Sequence, residues 1–192
     1  MGIVIYIILY IVATIFYPGC SQIDKNSIGF SWVNNYWCNL LNEKAINGEQ
    51  NLAKPFAACA MVVLSVSLTL FWFLFARHMK IKRSLRLLIQ LSGMLSMLIA
   101  FPLLTNANHD LIINLASMAG LVVVICTYIG LYKNKLHLLF SFGLLMILLI
   151  ALNNYVYYTK GLIIYLPVIQ KITFVIFLIW ICCIDIILYR RS

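Results

Sequence analysis

The sequence predicts an all-α polytopic membrane protein: a bundle of six transmembrane helices with a short amphipathic helix in its outer loop. Three observations predict it. Of 192 residues, 64% are hydrophobic and only 10% charged, whereas a water-soluble domain carries about a quarter charged residues because its surface must be solvated. The mean hydropathy is +1.01. The apolar residues also gather into stretches near the roughly 20 residues that a helix needs to cross hydrocarbon. These stretches are apolar all round, as in LLFSFGLLMILLIAL (138–152), and do not alternate as the strands of a membrane barrel do. A soluble enzyme, a nucleic-acid-binding domain and a disordered tail are excluded by the same composition.

Taken in order, the chain reads as one transmembrane domain over residues 1–192. The first span covers about 1–17 and stops at Pro18-Gly19, a pair that favours a tight turn. The second covers about 55–76, with Pro55 where a first-turn proline loses no hydrogen bond. The others cover about 85–104, 111–132, 136–152 and 163–188. No cleavable signal peptide is expected, because a basic n-region is lacking and Tyr17-Pro18-Gly19 before Cys20 fits the small-residue cleavage pattern poorly.

Lys and Arg set the expected orientation, since the cytoplasmic side carries their excess. Arg77, Lys80, Lys82, Arg83 and Arg86 lie between spans two and three, Lys133 and Lys135 between four and five, and Arg190 and Arg191 in the tail. The opposite side has Lys25, Lys44, Lys54 and Lys160, partly offset by Asp24, Glu43 and Glu49. Both termini are therefore predicted to be cytoplasmic in a cell (inner or plasma) membrane, with the long first loop outside. The net charge of +9 reads as an orientation device and a contact for anionic lipid, with no nucleic-acid partner.

The outer loop, 19–52, is the only long connection. Trp32, Val33, Tyr36, Trp37, Leu40 and Leu41 recur with a spacing near four, and Asn34, Asn35, Asn39, Asn42 and Glu43 fill the other face. That pattern predicts an amphipathic helix lying in the headgroup plane or capping the bundle. Cys20 and Cys38 share this side and are a candidate disulfide if the compartment is oxidising.

Ionisable and polar groups inside spans are the default candidates for function. Asp110, Asn114 and Ser117 stand at i, i+4 and i+7, on one face of span four, and that face is expected to point inward. Lys171 falls at a similar depth in span six, so Asp110 and Lys171 form a candidate pair. The candidate outer cluster is His109, Asp110, Asn114, Ser117, Lys171, Asn35 and Asn39. Asp185 lies about 21 Å along the helix from Lys171, and Arg190 or a basic residue of the inner loops is its expected partner. No metal site is expected, since His78 and His137 fall on the cytoplasmic side and zinc takes three or four protein ligands; no cofactor is implied. Ser92/Ser96 and Ala116/Gly120 form small-xxx-small pairs that let spans three and four approach other helices.

The order of motifs resembles a known family. A first span ends in Tyr17-Pro18-Gly19, and an aromatic outer segment follows, FSWVNNYWCNLL (30–41). Phe101-Pro102 then leads to His109-Asp110, and Lys171 and Trp180 lie in the last span. This set is similar to the bacterial six-helix membrane family called domain of unknown function 998, itself similar to the Frag/DRAM/Sfk membrane group. The resemblance implies a fold and a membrane address but no reaction. Where that family often has a Ser-Asp pair this chain has Cys38-Asn39, and where it often has Arg this chain has Lys171. The expected function is thus a non-catalytic membrane protein that binds lipid or assists a partner, the partner being another protein or a second copy. The alternatives are a membrane-embedded lipid hydrolase using His109 and Asp110, and a small-solute transporter with Pro102 and Pro167 breaking helices beside a site.

Overall fold

The computed structural model describes residues 1–100 and 109–190, with the side chains of His109, Asp110 and Ile113 outside that description. Among the described residues there are six α-helices: α1 Gly2–Ile15, α2 Lys54–His78, α3 Arg83–Ala100, α4 His109–Lys133, α5 His137–Tyr158 and α6 Leu166–Tyr189. Among the described residues there is no strand, only the isolated bridges Gly19↔Ile28 and Lys44↔Gln50. Helix is the solution in lipid because every backbone N–H finds its partner within the segment.

Among the described residues five helices are long and apolar enough to cross a membrane, the last of them counted together with a 3₁₀ turn at Ile163–Tyr165. The protein is therefore a multi-pass membrane protein. The first helix falls short of its predicted 1–17 extent. It has 14 residues and ends at Ile15, with Phe16 as its C-cap, about 21 Å at 1.5 Å per residue against about 30 Å of hydrocarbon. The backbone turns there: the Phe16 N–H bonds the Ala13 carbonyl, and Thr14 Oγ1 bonds that of Ile11. In the Pro18-Gly19 turn, Gly19 has φ +151° and a Cβ on it would stand 2.9 Å from the Ser27 carbonyl oxygen, so no larger residue fits. In contrast α5 runs six residues beyond its predicted end at 152, through Asn153 and Asn154, whose side-chain N–H groups bond back to the Leu149 and Ile150 carbonyls one turn earlier and so do not compete for the next turn of the helix. Pro167 lies in the first turn of α6 and breaks nothing, which removes half of the argument for a transporter; Pro102 is outside the described residues.

The chain forms two compact units, Met1–Val63 with Leu145–Leu178, and Leu64–Leu144 with Ile179–Ser192. The first is held by aromatic packing. Tyr6 and Tyr10, one turn apart on α1, are buried; Tyr6 packs edge-on to Phe174, and Trp37 lies 5.3 Å from both Tyr10 and Phe174. In the second, the small residues predicted to permit close approach do so. Ser92, Gly93 and Ser96 are buried on α3, and Ser96 Oγ donates to the Ala116 carbonyl of α4 at 3.0 Å. Trp72 lies so close to Gly93 that a Cβ there would meet its ring at 2.9 Å. Trp180, 1% exposed, donates its indole N–H to the Leu139 carbonyl at 2.8 Å and packs against Tyr128.

Candidate functional site

The outer loop is not the amphipathic α-helix that its spacing suggests. Its only helical turn is a 3₁₀ segment at Trp37–Leu41, and the two faces are partly exchanged. Trp32 and Val33 are exposed, whereas Asn35 and Asn39 are 0% and 1% exposed. The cause is competition for backbone groups, which Asn side chains win in turns. Asn35 Oδ1 accepts the Ser31 N–H at 2.8 Å while its Nδ2 donates to the Cys20 carbonyl at 2.9 Å. Asn39 Oδ1 accepts the Tyr36 N–H at 2.7 Å. The organising residue is Asn51, to which the apolar spacing of the loop assigns no role. Its Nδ2 lies within 2.8–3.2 Å of the Asn39, Leu40 and Asn42 carbonyls, and its Oδ1 accepts the Ala53 N–H at 3.1 Å. The available signal was an Asn three residues before the start of a helix at Lys54, where Asx turns are common.

Lys171, in the second turn of α6, reaches this loop. Its side chain is buried, at 8% exposure. The ammonium donates to the Asn35 carbonyl at 2.6 Å and to the Pro167 carbonyl at 2.8 Å. Its nitrogen lies over the Phe30 ring, 6.0 Å from the centre, and Phe30 packs edge-on to Tyr17 and to the exposed Trp32. An ammonium has three donors, so two carbonyls leave one unused. No carboxylate pairs with it among the described residues, where the ion pair found is the exposed Lys54–Glu43 contact at 3.4 Å. The Trp37 indole N–H of the same unit is also buried without an acceptor. Burial pushes the nearby Cys38 thiol above the ordinary thiol range, against the pull of backbone hydrogen bonds and of the Lys171 charge. Cys38 is accordingly a neutral thiol near pH 7 and a poor nucleophile.

Of the predicted outer cluster, the structure brings together Lys171 and Asn35, with Asn39 in the same unit. Asn114 and Ser117 are not turned inward: both are exposed on α4. The inward face belongs instead to Ile112, Val123, Thr127 and Leu131, with Ala116 and Gly120 on the same stripe against Ser96, because small residues let backbones approach more closely than amides do. The His109 and Asp110 side chains, and with them the Asp110–Lys171 pair, lie outside the described residues. Cys20 and Cys38 are both free thiols and form no disulfide; Cys20 Sγ turns instead to the Lys25 carbonyl at 2.6 Å. Asp185 is exposed and makes no ion pair with Arg190 among the described residues. No three His, Cys, Asp or Glu side chains converge on one point there either. Between α2 and α3 an apolar recess of about 220 Å³ is lined by Ser65, Val66, Thr69, Leu70, Met94 and Leu98, with the Thr69 hydroxyl turned back to the Ser65 carbonyl. Compared with known proteins, the chain matches no family model, no curated protein and no solved structure.

Proposed function

We propose that this multi-pass protein is a non-catalytic lipid-binding protein of the cell membrane, with the short α1 as a sixth crossing that local thinning of the bilayer accommodates, both termini thus cytoplasmic, the 19–52 loop at the outer surface, and an anionic headgroup received at Lys171. The observation that carries the reading is the Lys171 ammonium, buried with one donor unused and no counter-charge among the described residues. An uncompensated buried charge costs several kcal/mol, and two carbonyl dipoles offset only part of it. A phosphate or carboxylate supplied by lipid would complete it. The surroundings fit a headgroup layer: Trp32, Tyr157, Tyr158 and Tyr165 are exposed, and such aromatic rings favour the membrane–water boundary. A single half-exposed ring, Phe30, stands over the ammonium. The neutral Cys38 thiol and the absence of an acid at Asn39 speak against a reaction at this place. Membership of the six-helix family belongs to the same proposal, on the Tyr-Pro-Gly turn, the aromatic outer segment and Lys171.

Native mass spectrometry of the purified chain tests it. The expected result is one anionic phospholipid retained by the wild type and by Lys171→Arg, and lost from Lys171→Met. Retention of the same lipid by Lys171→Met, or none in the wild type, would overturn the reading.

A further inference from the structure

A second charged surface lies in the other unit and owes nothing to Lys171. The α2–α3 connector (79–82) and the α4–α5 connector (134–136) are far apart in sequence, yet one side chain ties them. Asn134 Oδ1 accepts the Lys80 backbone N–H at 3.0 Å, and Asn134 Nδ2 donates to the Gly130 carbonyl at 2.8 Å. Lys135 takes a left-handed conformation, φ +56°, and the Leu136 N–H closes the turn on the Leu131 carbonyl at 3.0 Å.

The tie places two sets of cations side by side. Arg86 is engaged elsewhere, its Nε donating to the Ala76 carbonyl at the end of α2, and Arg77 lies over the Phe73 ring. Lys80, Lys82, Arg83, Lys133 and Lys135 are all exposed, and none of them forms an ion pair among the described residues. Membrane-crossing helices end here: Arg77 and His78 close α2, Arg83 opens α3, Lys133 closes α4 and His137 opens α5. A cluster at such ends sits at headgroup depth. Its complement there is an anionic phospholipid, to which juxtamembrane cations are strongly attracted.

We propose that the two connectors form one docking surface for anionic phospholipid headgroups, with Asn134 as the positioning residue that holds the Lys80 and Lys135 loops together. A device that only oriented the chain during insertion would need the charges but not the tie, because orientation follows the number of Lys and Arg in a loop.

The test uses the full chain in nanodiscs of phosphatidylglycerol and phosphatidylcholine, reading the ratio of the two lipids retained after extraction. Lys80→Gln with Lys135→Gln removes two exposed charges and should lower the phosphatidylglycerol preference about thirtyfold. Asn134→Ala keeps every charge and should lower it about three- to fivefold by letting the loops part, at a thermal midpoint that shows the bundle intact. An unchanged ratio in the double Lys variant would overturn the docking surface. A lowered ratio there with an unchanged ratio in Asn134→Ala would overturn the single-surface claim. If Asn134→Ala fails to fold, the two single Lys variants decide: one shared surface requires each to depress the ratio and the pair to depress it by less than the product.

Discussion

Replacing Asn51 by Ala removes the residue on which the outer loop closes. In the folded loop the amide nitrogen serves the Asn39, Leu40 and Asn42 carbonyls and the amide oxygen takes the Ala53 N–H, in a site only 3% exposed. An amide nitrogen has two hydrogens, so the three carbonyls share two donors and the net loss is three hydrogen bonds. At about 1 kcal/mol each, the loop loses about 3 kcal/mol of protection against opening. The helices keep their own bonds, so the change is local and not global. Hydrogen exchange on the purified chain reads it directly: protection of the Asn39, Asn42 and Ala45 amides should fall by about a hundredfold, while amides in the middle of α2 and α6 keep theirs. Equal loss in the loop and in those helices, or a change in the loop smaller than about threefold, would refute the reasoning.

Two further outcomes follow from the packing and the electrostatics. Gly143→Ala puts a Cβ against the Tyr128 ring and 3.1 Å from Trp180, in a place where the Tyr128 hydroxyl already bonds the Gly143 carbonyl; a loss of about 2 kcal/mol is expected in denaturant unfolding, and a change under about 0.5 kcal/mol would contradict the contact. In a variant that keeps Cys38 as its only cysteine, maleimide labelling should still be climbing above about pH 9, because burial holds the thiol protonated and only the thiolate reacts. Lys171→Met removes a charge that favours the thiolate, so labelling at any one pH should slow further; a plateau below about pH 8 would contradict the assignment.

What could be read from the sequence, and what could not, divides along a physical line. Apolar length decides helices in lipid, and α2, α3, α4 and α6 begin within about three residues of where their hydropathy places them. The small-residue pairs Ser92/Ser96 and Ala116/Gly120 were legible because close backbone approach leaves few alternatives. The outer loop was not, since spacing alone treats Asn as a solvent-facing residue. Asn35, Asn39 and Asn51 spend their amides on backbone groups and so become the interior, while Trp32 and Val33 stay outside. Lys171 was legible as an expensive intramembrane cation; that its described partners are carbonyls from position 35 and from its own helix depends on a loop path that no periodicity encodes. Asn114 and Ser117 misled for a related reason: polarity marks a face, but the packing volume of Ala116 and Gly120 decided which face of α4 turns in.

The proposed arrangement of loop and connector requires α2 to cross the bilayer between the aromatic loop and the basic connector. Single cysteines at Leu52 and Lys80, just beyond the two ends of that 25-residue helix, test it in a background without the native cysteines, using a membrane-impermeant maleimide on intact cells. Labelling at Leu52→Cys alone, with Lys80→Cys reacting only after permeabilisation, is the result expected. Labelling of both positions from outside would contradict it.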